Sequence, residues 1–161
     1  MGAPDRVQDP AARLQHALDL AYHYVARHER TVLEVRRHLE RKRVEPATIE
    51  AALGELIEQR YLDDVRYARV FTEDRRNLDG WGTERIERRL RAAGVPCEVV
   101  LEVLGERSHE DELSQALEIL RRKLREPPAD ERARERALGL LVRRGYELDL
   151  AYSAVRQFEH G

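Results

Sequence analysis

The sequence predicts an all-α protein of three tandem three-helix repeats, about nine helices in an elongated, curved array. Three observations carry this. No segment of the 161 residues alternates apolar and polar side chains over the length of a strand with β-branched enrichment. Leu39, Leu90 and Leu141 are evenly spaced by 51 residues, and their surroundings repeat with them. The hydrophobic fraction is 42% against 37% charged and only 6% aromatic residues, which suits several small cores better than one thick one.

The 51-residue step holds at more than leucines. Val35, Ile86 and Ala137 are in phase, as are Ile49, Val100 and Ala151, and Leu53, Leu104 and Val155. Upstream, Ala17 pairs with Ala68 and Leu20 with Phe71. The turn residues Arg43-Val44, Gly94-Val95 and Gly145-Tyr146 keep the same phase. The divisions predicted are an N-terminal tail at 1–11 and repeats at 12–60, 61–106 and 107–161.

In the first repeat, Asp9-Pro10 reads as a cap with proline at the first helical position, ahead of a stripe of Leu14, Ala17, Leu18, Ala21 and Val25. Thr31 and Glu34 have capping-box spacing and open a second helix with Val32, Val35 and Leu39 inward. A third starts near Pro46, with Ile49, Leu53, Leu56 and Ile57 inward.

The second repeat opens on Asp63, a helix cap, and Asp64, which complements the positive end of that helix; Tyr67, Ala68 and Phe71 supply the buried face. Gly80-Trp81-Gly82 interrupts the chain, Thr83 to Ala92 forms the next helix around Ile86 and Leu90, and Gly94 suits a left-handed terminator. Pro96 begins the last helix of this repeat, with Val99, Val100, Val103 and Leu104 buried.

In the third repeat a helix capped by Ser108 with Asp111 runs through Leu113, Ala116, Leu117, Leu120 and Leu124 until Pro127-Pro128 stops it. Asp130 caps a helix ending at Gly145, and the last carries Ala151, Ala154, Val155 and Phe158.

Enzyme chemistry finds no foothold. The six histidines never fall at His-Glu-x-x-His spacing, and there is no phosphate loop, dinucleotide fingerprint or nucleophile elbow. Asp63-Asp64 point about 100° apart on a helix and cannot converge as a carboxylate pair. Cys97 is the only cysteine, which excludes an internal disulfide and a thiolate metal cluster. No metal or cofactor is expected. No stretch is apolar enough for a membrane span, and Met1 to Pro10 holds no apolar run like a signal peptide, so the chain reads as cytoplasmic.

Charge placement says more. Lys plus Arg is 29 against 31 acidic residues, a net of −2, so any polyanion site must be a local patch. All but Lys42 and Lys123 of the 29 are arginines. They cluster on the middle helices: Arg36, Arg37 and Arg41 with Lys42 and Arg43; Arg85, Arg88, Arg89 and Arg91; Arg132, Arg134, Arg136, Arg143 and Arg144. From the residues alone two readings stay open. Stacked repeats line these cations into a basic track, or the helices are solvated faces neutralised by Glu34, Glu40, Glu84, Glu87, Glu131 and Glu135. The second and third helices are also compatible with a helix-turn-helix. The third helices, however, carry Glu50, Glu55, Glu58, Glu98 and Glu102, a poor surface for a DNA groove.

The run Tyr61-Leu62-Asp63-Asp64-Val65-Arg66-Tyr67-Ala68-Arg69-Val70-Phe71, followed by Arg75, Gly80, Ile86, Leu90 and Gly94-Val95, resembles the RecX family of bacterial recombination regulators over about residues 12 to 158. The resemblance implies a non-enzymatic protein that binds the RecA filament on single-stranded DNA; the chain itself is expected to be a monomer. Such a protein lies along the filament groove and restrains assembly, ATP hydrolysis, strand exchange and repressor co-cleavage in DNA repair and the SOS response. Weak, non-specific DNA binding is a further expectation, from the arginine series and not from the resemblance. Asp63, Asp64, Tyr67, Ala68, Phe71, Gly80, Ile86, Leu90, Gly94 and Val95 match the family pattern as caps, core and turns. The candidate contact residues are Arg75, Arg76, Arg85, Arg88, Arg89, Arg36, Arg37 and Arg41. Arg43, where the other repeats have glycine, and the insertion around Pro127-Pro128 depart from the pattern. The alternatives are a stand-alone helix-turn-helix DNA-binding regulator and a helical scaffold for another protein.

Overall fold

A helix starts where a side chain can satisfy its orphan first-turn amides, and the caps read from sequence do this. In the computed structural model, which describes residues 9–161, the Asp9 carboxylate accepts from Ala11 N, and α1 spans Pro10–Val25. Thr31 and Glu34 form the reciprocal capping box of α2, Val32–Arg41. The remaining helices are α3 Pro46–Glu58, α4 Asp64–Asp74, α5 Thr83–Ala92, α6 Cys97–Gly105, α7 His109–Lys123, α8 Glu131–Arg144 and α9 Leu148–His160. Ser108 caps α7 through Asp111 N at 3.1 Å, and Asp130 caps α8 through Ala133 N at 2.7 Å. There is no strand among the described residues. The segment read for a signal peptide, and most of the expected tail at 1–11, lie outside them.

The residues in phase with the repeat are core residues. Leu39, Leu90 and Leu141 are fully buried, as are Val35, Ile86 and Ala137. Ile49, Val100 and Ala151 are buried in the third helices, with Leu53, Leu104 and Val155 one turn on. The chain divides into two compact units, one comprising the chain up to Tyr67 with Ala93–Val95, the other Ala68–Ala92 with Pro96–Gly161. In the first, α1 packs on α2 and α3 around Ala17, Leu18, Ala21, Leu39 and Leu56. In the second, α9 packs on α7 and α8 around Ile119, Leu120, Leu141, Tyr146 and Leu150, and α5 packs on α6.

Four details differ from expectation. Ile57 is 48% exposed. The chain turns back after α3, with the amides of Tyr61 and Leu62 both donating to the Leu56 carbonyl, and buried Leu62 closes that end of the core instead. Leaving α4, residues Arg75–Asp79 form a π-helical turn that ends at Gly80. Pro96 is the cap of α6, not its first helical residue. The helix α7 stops at Lys123 because Leu124 is already extended, upstream of the prolines.

Asp64 stands in the first turn of α4 as expected and has a second role. Asp63 caps α4 by accepting from Arg66 N at 3.0 Å, whereas the Asp64 carboxylate accepts from Val32 N, in the first turn of α2, at 3.0 Å. The Thr31 hydroxyl donates to the Ala93 carbonyl at 2.5 Å, and Leu33 lies against Gly94 where a Cβ would project. This seat recurs in the second unit at the 51-residue step. Gly82 N donates to the Arg144 carbonyl at 2.8 Å, Glu84 N donates to the Gly145 carbonyl at 3.0 Å, and Thr83 N donates to the Glu112 carboxylate at 2.7 Å. Gly94 and Gly145 are left-handed, at φ +85° and +94°, and Arg85 lies where a Cβ on Gly145 would stand. Glycine is required there twice over, for its backbone conformation and for its missing side chain. At the corresponding first turn, Arg43 takes φ 60° despite its side chain.

Candidate functional site

The candidate arginines divide into those engaged within the fold and those free to meet a partner. Arg75 belongs to the first group. Its Nη1 donates to Asp79 at 2.5 Å across one turn, and its guanidinium lies 5.7 Å from the ring centres of both Phe71 and Trp81. Arg85 stacks at 4.0 Å from the Trp81 ring centre and also reaches the Arg143 carbonyl. Trp81 therefore has two cations on it, and Phe71 meets it edge-on with centroids 6.2 Å apart. Arg75 thus spends one N–H on Asp79 and lies against Trp81 within the fold.

Arg36 pairs with Glu50 of α3, and Arg91 pairs with Glu87 at 2.8 Å, a hydrogen bond that raises the guanidinium pKa further. Arg88 donates weakly from Nε to the Glu84 carbonyl at 3.4 Å and is exposed. Arg37, Arg41 and Arg89 are exposed and make no ion pair among the described residues. The acidic third helices are partly spoken for: Glu50 by Arg36, and Glu102 and Glu106 by Arg69 at 3.6 and 2.9 Å. In the first unit α2 exposes Arg37 and Arg41; in the second, α5 exposes Arg88 and Arg89 and α6 exposes Glu98.

Arg76 is different again. It is half-buried, and burial first, then the nearby charge of Arg107, pulls its pKa below the usual guanidinium value. Its carbonyl accepts from Gln115 Nε2 at 2.8 Å and its Nη2 lies 3.4 Å from the Thr83 hydroxyl. Beside it opens a cavity that Arg107 and Arg122 also line. Neither was among the residues singled out from sequence, because they sit before α7 and in its last turn, outside the arginine series of the middle helices. Among the described residues no group of histidine, cysteine and carboxylates can hold a metal, and no helix is long and apolar enough to cross a membrane.

Residues 17–56, 63–104 and 110–155 match, in order, the first, second and third three-helix domains of RecX. A regulatory protein RecX of Amycolatopsis mediterranei is 31% identical over 92% of this chain and 86% of its own length. The chain belongs to the RecX family. A second regulatory protein RecX, of Leptothrix cholodnii, is 31% identical over 87% of both chains. The crystal structure of RecX from Lactobacillus salivarius superposes with a TM-score of 0.82 over 94% of this chain and 99% of that one at 15% identity, which establishes the shared fold. The three-repeat all-α architecture is thus the RecX architecture. Residues of the RecX-like signature fall where they shape it: Ala68, Ile86, Leu90 and Val95 in the core, Gly80 and Gly94 at left-handed turns, Asp63 at a helix cap. Tyr67 and Phe71 are half-buried.

Proposed function

We propose that this chain binds the RecA filament assembled on single-stranded DNA, in the cytoplasm and as a monomer, and restrains its growth, ATP hydrolysis, strand exchange and co-protease activity. Membership of a family of regulatory proteins supports this, together with one feature of the chain: the middle helices of the first two repeats each expose arginines with no ion pair among the described residues, Arg37 and Arg41 on α2 and Arg88 and Arg89 on α5, of which Arg37 and Arg88 are in phase with the repeat. A polymer presents the same acceptor surface at regular intervals. Repeated modules engaging it gain through effective concentration, so contacts that are individually weak suffice on a filament and fail on a single subunit. Where those arginines meet DNA phosphates, binding is weak, non-selective and salt-dependent.

The deciding experiment is RecA ATP turnover on single-stranded DNA with and without the purified chain. The expected result is a fall in turnover that grows with the chain's concentration; turnover unchanged at a several-fold excess of the chain over RecA overturns the proposal.

A further inference from the structure

Arg76, Arg107 and Arg122 line one cavity of about 510 Å³, together with Ser114 and Gln115. They come from three places in the chain, the π turn after α4, the loop before α7 and the last turn of α7. None of the three makes an ion pair with a carboxylate among the described residues. Two carboxylates also border the cavity. Asp111 is engaged by the Ser108 hydroxyl at 2.7 Å, and Glu118 is exposed, so three cations face two anions.

A cation that is half out of water is costly, and a second cation beside it raises that cost. Arg76 is in that position, held against the cavity by Gln115 through its carbonyl, and its burial and the charge of Arg107 outweigh the opposing charges of Glu112 and Glu106. Arg107 spends one N–H on the Asp111 carbonyl at 3.1 Å and keeps the rest of its fork. An anion in the cavity removes the repulsion between the two. Guanidinium forks arriving from three separate elements offer more donors, in more directions, than the two coplanar oxygens of a carboxylate accept. A tetrahedral phosphate presents oxygens to all three.

We propose that this cavity is a binding site for a phosphate group, borne either by a nucleic-acid backbone or by the polyphosphate tail of a nucleotide. It does not include the arginines proposed above to meet RecA, Arg37, Arg41, Arg88 and Arg89, and its test contains no RecA, so either can fail alone.

The test is isothermal titration of the full chain with inorganic pyrophosphate, with magnesium-free ATP and with oligothymidylate, for the native sequence and for Arg107→Gln, Arg122→Gln and Arg132→Gln. Arg132 is exposed on α8, outside the cavity. Pyrophosphate is expected to bind one per chain and to weaken about ten-fold in each cavity variant, with no change in Arg132→Gln and with melting temperatures that stay together. A matching loss for ATP identifies the nucleotide tail as the source, and a matching loss for oligothymidylate identifies the backbone. Absence of pyrophosphate binding, or binding that Arg132→Gln weakens as much as the cavity variants do, overturns the site.

Discussion

Gly82 and Gly145 meet backbone to backbone, so that a Cβ on Gly82 would stand 2.5 Å from the Gly145 carbonyl oxygen. No side-chain adjustment relieves that overlap. Gly82→Ala is therefore expected to cost about 1–3 kcal/mol, read by urea denaturation. Gly54, within α3 and with open space around its Cβ position, is the counterpart. Gly54→Ala should stabilise by about 0.5–1 kcal/mol, since alanine loses less backbone freedom in a helix. If both substitutions shift stability in the same direction, the backbone seat is not what constrains Gly82.

Burial, followed by the charges of Asp63 and Glu34, raises the Asp64 pKa above the usual 3.8, against the opposing hydrogen bond from Val32 N. The folded state then holds a proton on Asp64 that the unfolded state has released. Asp64 therefore lowers stability as pH rises from the ordinary carboxylate range through its own folded value. Asp64→Asn keeps an oxygen for Val32 N without the charge. It should be neutral or stabilising at pH 7 and should remove that part of the pH dependence. Asp64→Ala leaves the Val32 amide without an acceptor and is expected to cost about 1 kcal/mol. Thermal melts of the three proteins between pH 3.5 and pH 7, roughly the carboxylate range, separate these outcomes.

The buried Tyr146 hydroxyl donates to the Gly80 carbonyl at 3.1 Å. Burial pushes its pKa up, so the neutral phenol is favoured in the folded state, and stability falls as pH rises past the value of a free tyrosine, about 10. Tyr146→Phe should cost about 1 kcal/mol at neutral pH and flatten the alkaline limb of the stability curve. An alkaline limb unchanged by Tyr146→Phe would assign it to other groups.

For the interaction surface, Arg37→Glu with Arg89→Glu should weaken inhibition of RecA ATP turnover while leaving the melting temperature within about 2 °C, because neither side chain is held inside the fold. Arg75→Glu should lower both inhibition and melting temperature, since it puts a carboxylate against Asp79 and beside Trp81. Full inhibition by the Arg37→Glu, Arg89→Glu protein would remove α2 and α5 from the contact.

Much of this fold is written locally, and that part was legible. The caps at Thr31, Ser108 and Asp130 depend on residues three apart, and the phased Leu39, Leu90 and Leu141 are all fully buried. What escaped reading depends on distant partners. Nothing near Asp64 says that its carboxylate reaches Val32, 32 residues away. Nothing near Trp81 says that Arg75 and Arg85 both settle on its ring. Tyr146 reads as a turn residue after Gly145 and is instead among the largest fully buried side chains. The family signature was readable for the same reason as the caps: it consists largely of the residues that make a repeat, and the arginines proposed for contact are not part of it.

Arg43 stands at the position where Gly94 and Gly145 receive the start of another helix, and it adopts the same left-handed backbone while keeping its Cβ. A neighbour of the kind that settles on those two glycines meets a methylene there and is turned away. Restoring glycine at position 43 would leave that turn as open to an approaching backbone as its two counterparts are.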